Sequence, residues 1–226
     1  MVIQTFVQPG ELPHTTATIL HQAILEIHKE QKQVILGLPG GRSISPILKA
    51  LTQLSIPWNH LHVFLVDERI VPQRSSASNF RIIKEELQEV LPMSHLHAFH
   101  VETKNPEEAI LQYEQDIKTY GGHYDITLVS AGEDGHIASL FPHHHSLSES
   151  SSYVFLEHNA PKPPPRRMSI SPSFLLRSLV GIIVFSGLEK KEALKHFLDD
   201  NVSIQKCPAK LVLQLQNAYL ITDNTL

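Results

Sequence analysis

Several things are scarce in this chain of 226 residues, and each scarcity excludes a class. A single cysteine, Cys207, excludes an intramolecular disulfide framework and a Cys-rich zinc site. No apolar run approaches the ~20 residues needed to span a bilayer. Residues 1–10 lack the basic flank and apolar core of a signal peptide. Charge is sparse as well: 19 Lys+Arg against 23 Asp+Glu leaves a net −4. Such a balance offers no broad attraction for nucleic acid or an anionic membrane, so neither is an expected partner. An anionic ligand must be held by local positive groups. With 42% hydrophobic and 19% charged residues the chain is too apolar to be disordered. Its length fits one domain over residues 1–226. A reducing compartment, the cytoplasm, and a monomer or small homo-oligomer are the expectation.

Histidine, by contrast, is plentiful: there are 15, including the run His143-His144-His145. Three adjacent His side chains cannot all converge on one ion in regular structure, so no metal site is expected. A solvated turn after Pro142 is expected instead.

Helix-type and strand-type segments alternate along the chain. Over residues 16–31, Ile19, Leu20, Ala23, Ile24 and Ile27 recur at the spacing of one helix face. Residues 34–38 form a short apolar run ending in Pro39-Gly40-Gly41, which reads as a buried strand feeding a tight turn. A helix over 44–54 and a strand over 61–66 follow, the latter stopped by Asp67-Glu68-Arg69. Helices are predicted over 79–91 and from Asn105-Pro106-Glu107-Glu108 through Ala109, Tyr113 and Ile117. Further strands are predicted over 124–129 and 180–185, with a final helix from about 188 to 198. Residues 146–152 and the proline-rich 162–167 read as loops. Buried strands alternating with amphipathic helices imply an α/β fold, a three-layer α/β/α arrangement with a mostly parallel, Rossmann-like open sheet.

In such a sheet ligands bind outside the carboxyl ends of the strands, and several strand ends here carry distinctive residues. Gly40-Gly41-Arg42-Ser43 permits close backbone approach before a helix N-terminus that offers N–H groups to an anion. It lacks the Lys-Ser/Thr of a nucleotide P-loop and the dinucleotide fingerprint. Asp67-Glu68-Arg69 places three charges after a strand, which an ordinary solvated strand end would also do. Gly132-Glu133-Asp134-Gly135-His136 presents an Asp and a His on a glycine-lined loop, and His is a ready proton carrier near neutral pH. Arg166-Arg167 and Lys190-Lys191 are solvated pairs when taken alone. Together with the glycine loop they are expected to close a cationic pocket on a phosphate.

These residues resemble the family of 6-phosphogluconolactonases, grouped with the glucosamine-6-phosphate isomerases/deaminases. The resemblance rests on residues 38–43 (LPGGRS), 66–72 (VDERIVP), 78–80 (SNF) and above all 132–142 (GEDGHIASLFP), and continues through 162–171, 187–190 and 208–209. Pro39 stands where Ser is frequent in the family, and Ile137 where Thr is usual. Deaminases follow the shared Gly-Glu-Asp-Gly-His-Ile-Ala with Phe-Asn-Glu-Pro; here the stretch is Ser139-Leu140-Phe141-Pro142, without a carboxylate, which favours the lactonase branch. The resemblance implies hydrolysis of 6-phospho-D-glucono-1,5-lactone to 6-phosphogluconate in the oxidative pentose phosphate pathway, with no required cofactor. On this reading His136 is the general base and then the general acid, and Asp134 or Asp67 orients it. Gly40, Gly41, Arg42, Ser43, Arg69, Arg167 and Lys190 hold the substrate, with Arg167 favoured over Arg166. Backbone N–H groups near Gly41 or Gly135 are candidate oxyanion donors. A deaminase, and a sugar-phosphate sensor without turnover, are the alternatives.

Overall fold

The fully buried apolar runs are the strands of one parallel sheet, and the segments between them supply its covering layers. The computed structural model describes residues 2–101 and 105–225. In chain order the elements are β1 (Val2–Phe6), α1 (Leu12–Glu30), β2 (Val34–Leu38), α2 (Ser45–Leu51), β3 (Leu61–Leu65), β4 (Asp67–Arg69), α3 (Asn79–Leu87), β5 (Leu96–His97), α4 (Pro106–Thr119) and β6 (Ile126–Ser130). Then come β7 (Val154–Glu157), β8 (Arg167–Ile170), α5 (Pro172–Leu175), β9 (Val180–Phe185), α6 (Lys191–Leu198) and β10 (Asn217–Thr222), with short 3-10 turns between. The main sheet has the order β1-β10-β9-β6-β2-β3-β5, every recorded pairing parallel.

Alternate side chains of each strand enter opposite cores. Leu36 and Leu38 of β2 and Val63 and Leu65 of β3 pack with Leu20 and Ile24 of α1, Ile47 and Leu48 of α2 and Ile83 of α3. Ile35 and Phe64 face the other way, with Tyr113 of α4, Phe197 of α6 and the small sheet. This is the expected three-layer arrangement. Among the described residues no helix is long and apolar enough to cross a membrane.

Three features depart from the expectation. Asp67-Glu68-Arg69 does not end the architecture of β3. It is β4, in a separate antiparallel sheet of order β4-β8-β7, with Asp67 opposite Ser169 and Arg69 opposite Arg167. The turn after Pro142 exists, with His143 at φ +52 and a 3-10 helix over His145–Ser148. It is only partly solvated, because Ser146 is fully buried. Finally, β1 and β10 carry the sheet past β9 to its far edge.

At the opposite edge β3 and β5 bring histidines together. His62 Nδ1 lies 3.0 Å from His97 Nε2, and the His62 ring stacks on His95. Burial, reinforced by the neighbouring histidines, pulls the His62 and His97 pKa values from 6.5 down to about 4.

Candidate active site

The strand order reverses at β2: the chain runs from β2 to β3 on one side, then later fills β6, β9 and β10 on the other. A crevice opens beyond the carboxyl ends of strands at such a point. Here it is a cleft of about 230 Å³. β2 delivers Gly40, Gly41, Arg42 and Ser43 to its wall, β4 delivers Asp67 and Arg69, the segment after β6 delivers Gly132 and His136, β8 delivers Arg167, and the turn after β9 delivers Lys190. Every substrate-holding residue expected from sequence lines this one cleft. Arg166 does not; its carbonyl accepts the Ile70 N–H instead.

The loop that carries His136 is tightly constrained. Gly132 N–H donates to the His136 carbonyl at 2.8 Å, and the Gly135 N–H donates to the Gly132 carbonyl at 3.0 Å. The second bond occupies the Gly135 N–H, which removes it from the candidate oxyanion donors. Gly135 has φ +82, and a Cβ on Gly132 would collide with the His136 ring.

Two aspartates were open as partners of the imidazole, and the geometry selects Asp134. Its Oδ1 lies 2.5 Å from His136 Nδ1, and its Oδ2 lies 3.2 Å from Lys162 Nζ. Burial opposes ionisation of Asp134, but the His136 hydrogen bond and the nearby positive charge outweigh it and hold the carboxyl well below the usual range. Asp67 is instead the centre of a buried network. Its Oδ1 accepts from Asn79 Nδ2 at 2.9 Å, its Oδ2 accepts from Ser139 Oγ at 3.0 Å, and Arg167 Nη1 is 3.8 Å away.

Arg167 is almost fully buried, and most of its donors are spent on the chain itself. Nε donates to the Pro164 carbonyl, and Nη2 to those of Lys162 and Pro163. It therefore holds the loop whose Lys162 pairs with Asp134. Burial, with Arg69 adding repulsion, pushes its pKa down, while Asp67 and Glu157 oppose this. Arg69 Nη1 donates to the Ala77 carbonyl, and its buried Nε has no hydrogen-bond partner.

Several residues of the site have roles that the sequence did not separate from their motifs. Asn79 lines the cleft, and its side chain fills the space a Cβ on Gly40 would need. Glu68 is buried beneath it and accepts the N–H groups of Arg69, Asn79 and Phe80 and the Ser78 hydroxyl. Burial raises its pKa in spite of those four bonds. Ser130, Ser186 and Glu189 also line the cleft. The motif 78–80 was visible, but what those residues bond to was not.

Phe141 occupies the position where the deaminase pattern has a glutamate. Its ring is fully buried, 4.9 Å from the His136 ring between centroids, with the Arg167 guanidinium 5.4 Å from its centre.

Comparison with known proteins gives this α/β fold and its cleft a family. The family model described as glucosamine-6-phosphate isomerases/6-phosphogluconolactonase matches residues 8–221, and the chain belongs to that family. It is 35% identical over 201 residues to the 6-phosphogluconolactonase of Borreliella burgdorferi, covering 86% of this chain and 85% of that one. It is 33% identical to the Thermotoga maritima enzyme of the same name, over 76% of this chain and 78% of the relative. The crystal structure of a Thermotoga maritima 6-phosphogluconolactonase superposes with a TM-score of 0.86, covering 98% of this chain and 100% of that one at 24% identity, and so shares the fold.

Proposed function

We propose that this protein hydrolyses 6-phospho-D-glucono-1,5-lactone to 6-phosphogluconate, the second step of the oxidative pentose phosphate pathway. One observation carries the reading: an imidazole oriented by a carboxylate shares a single cleft with Arg42, Arg69, Arg167 and Lys190. The relatives named above carry the same activity in their names.

With Nδ1 committed to Asp134, His136 uses Nε2 to take a proton from water as the water oxygen bonds to the lactone carbonyl carbon. Asp134 stabilises the imidazolium so formed. Collapse of the tetrahedral intermediate breaks the bond from that carbon to the ring oxygen, which receives the proton from His136. Such acid–base help is worth about 10²–10⁴-fold. Lys190, Arg42 and Arg69 bind the phosphate tail and so fix the carbonyl beside His136. N–H groups of the Gly40–Gly41 turn remain the candidate oxyanion donors. Asp67 acts as a positioning residue, holding Asn79 and Ser139. The single, buried Cys207 fits a reducing compartment such as the cytoplasm.

The test is lactone loss measured against its spontaneous rate, with phosphorylated and unphosphorylated lactones compared. Acceleration confined to the phosphorylated lactone is expected. Ammonia release from glucosamine 6-phosphate without lactone hydrolysis would assign the deaminase reaction, which the apolar Phe141 against His136 disfavours. Binding of 6-phosphogluconate with no acceleration would assign a sensor.

A further inference from the structure

Outside the cleft, the histidine run and β7 form a second cluster of donors. His144, His145 and Glu157 each offer one ligand atom, and these atoms all lie within 4.8 Å of one another. Glu157 is 1% exposed, and its Oε1 accepts the Asn159 N–H at 2.7 Å. Its Oε2 is buried and takes no hydrogen bond. That oxygen lies 3.0 Å from His145 Nε2 and 3.7 Å from His144 Nδ1. A buried carboxylate oxygen without a hydrogen bond is costly, which calls for a cationic partner. Arg167, opposite Glu157 across the β7–β8 register, supplies positive charge but makes no hydrogen bond to this oxygen. The groups directly beside it are two imidazoles, which can hold a metal ion or carry a proton.

We infer that His144, His145 and Glu157 form a binding site for a divalent transition metal of the zinc kind. The donor set, two imidazole nitrogens and one carboxylate oxygen, suits such an ion. Bonds of about 2.0–2.2 Å in a tetrahedron set ligands about 3.3–3.6 Å apart. Glu157 Oε2 stands 3.0 and 3.7 Å from the two imidazole nitrogens, and all three atoms lie within 4.8 Å of one another. Three adjacent histidines cannot share one ion, whereas two of them can do so together with a residue on another strand. The positive φ of His143 turns the chain so that residues 144 and 145 face β7 together, their rings 4.0 Å apart. His144 Nδ1 accepts the Ser146 N–H at 3.3 Å and meets Ser146 Oγ at 3.0 Å, so an ion taking that nitrogen displaces both contacts. His145 is largely exposed, which gives the ion an entry path and leaves the fourth position to water. Binding would fasten the loop after Pro142 to the small sheet. Glu157 stands opposite Arg167 in the β7–β8 register, so the site is one strand away from the cleft.

The probe is Co²⁺, followed by its visible absorption, with Zn²⁺ used in competition and in thermal melts of the full chain. One equivalent of Co²⁺ per chain, displaced by Zn²⁺, is expected, and a Zn²⁺-induced rise in Tm reversed by EDTA. His145→Ala and Glu157→Gln should each weaken binding by at least about tenfold and abolish that rise. His95→Ala, in the separate histidine group beside β5, should leave both unchanged. Glu157 is buried and its variant can misfold, so the exposed His145 provides the decisive substitution. Equal Co²⁺ affinity in the parent and His145→Ala overturns the site. So does an absence of Co²⁺ absorption in the parent, which leaves Glu157 paired with imidazolium alone.

Discussion

Gly132 stands where any Cβ would press on the imidazole of His136, so only glycine lets the ring sit there, and the Gly132 N–H bond to the His136 carbonyl closes the loop around it. The side chains around it divide by what they touch. His136→Ala should lower kcat at least ~100-fold with little change in KM, because it removes the proton carrier and leaves the cationic wall intact. Lys190→Ala should raise KM for the phosphorylated lactone and spare kcat, since no catalytic group depends on its position. Arg167→Ala is expected to do both. Its guanidinium fastens the carbonyls of residues 162–164, and Lys162 in turn pairs with Asp134. Steady-state kinetics on the three variants checks the division; a pure KM effect for Arg167→Ala would break the proposed link through Lys162.

The helix that starts at Asn79 depends on a carboxylate from β4. Ser78 caps it through its hydroxyl, while Glu68 accepts the N–H groups of Asn79 and Phe80. Glu68→Gln turns an acceptor-only group into one that presents an NH₂ to backbone donors. We expect a loss of about 2 kcal/mol or more in urea unfolding, with activity falling as Asn79 shifts away from Asp67. Elements such as β2, β3 and β9 were legible because strands buried on both faces read as unbroken apolar runs. β4 was not, since Asp-Glu-Arg becomes a strand only through pairing with Met168 and its neighbours, a hundred residues away in sequence. For the same reason the site was half legible. Asp134 and His136 sit in one loop and stand out together, although the sequence leaves Asp67 open as the partner, whereas Asn79, Ser139 and Lys162 join them only through tertiary contacts. Arg167 and Lys190 showed in the sequence as members of charge pairs, but the sequence could not tell that Arg167 is spent largely on carbonyls.

For the molecule as a whole, the histidines at the β3–β5 edge set an acid limit on stability. His62 and His97 titrate near 4 in the fold against 6.5 when free. The unfolded chain therefore takes up their protons first. Stability is fully present above about pH 6.5 and declines as pH falls toward 4. Tm measured across that interval should drop, and a His62→Gln, His97→Gln double variant should show a shallower slope whatever its absolute Tm. An unchanged slope would place the acid sensitivity elsewhere.

The cleft takes its walls from segments between Pro39 and Lys190, so no contiguous half of the polypeptide owns all the groups that line it. A nick in that interval divides those groups between two fragments, and turnover then depends on the fragments staying associated through the shared sheet and cores. Enzymatic output thus doubles as a reporter of the intact tertiary assembly, and its disappearance on heating should coincide with the melting of the central sheet instead of preceding it.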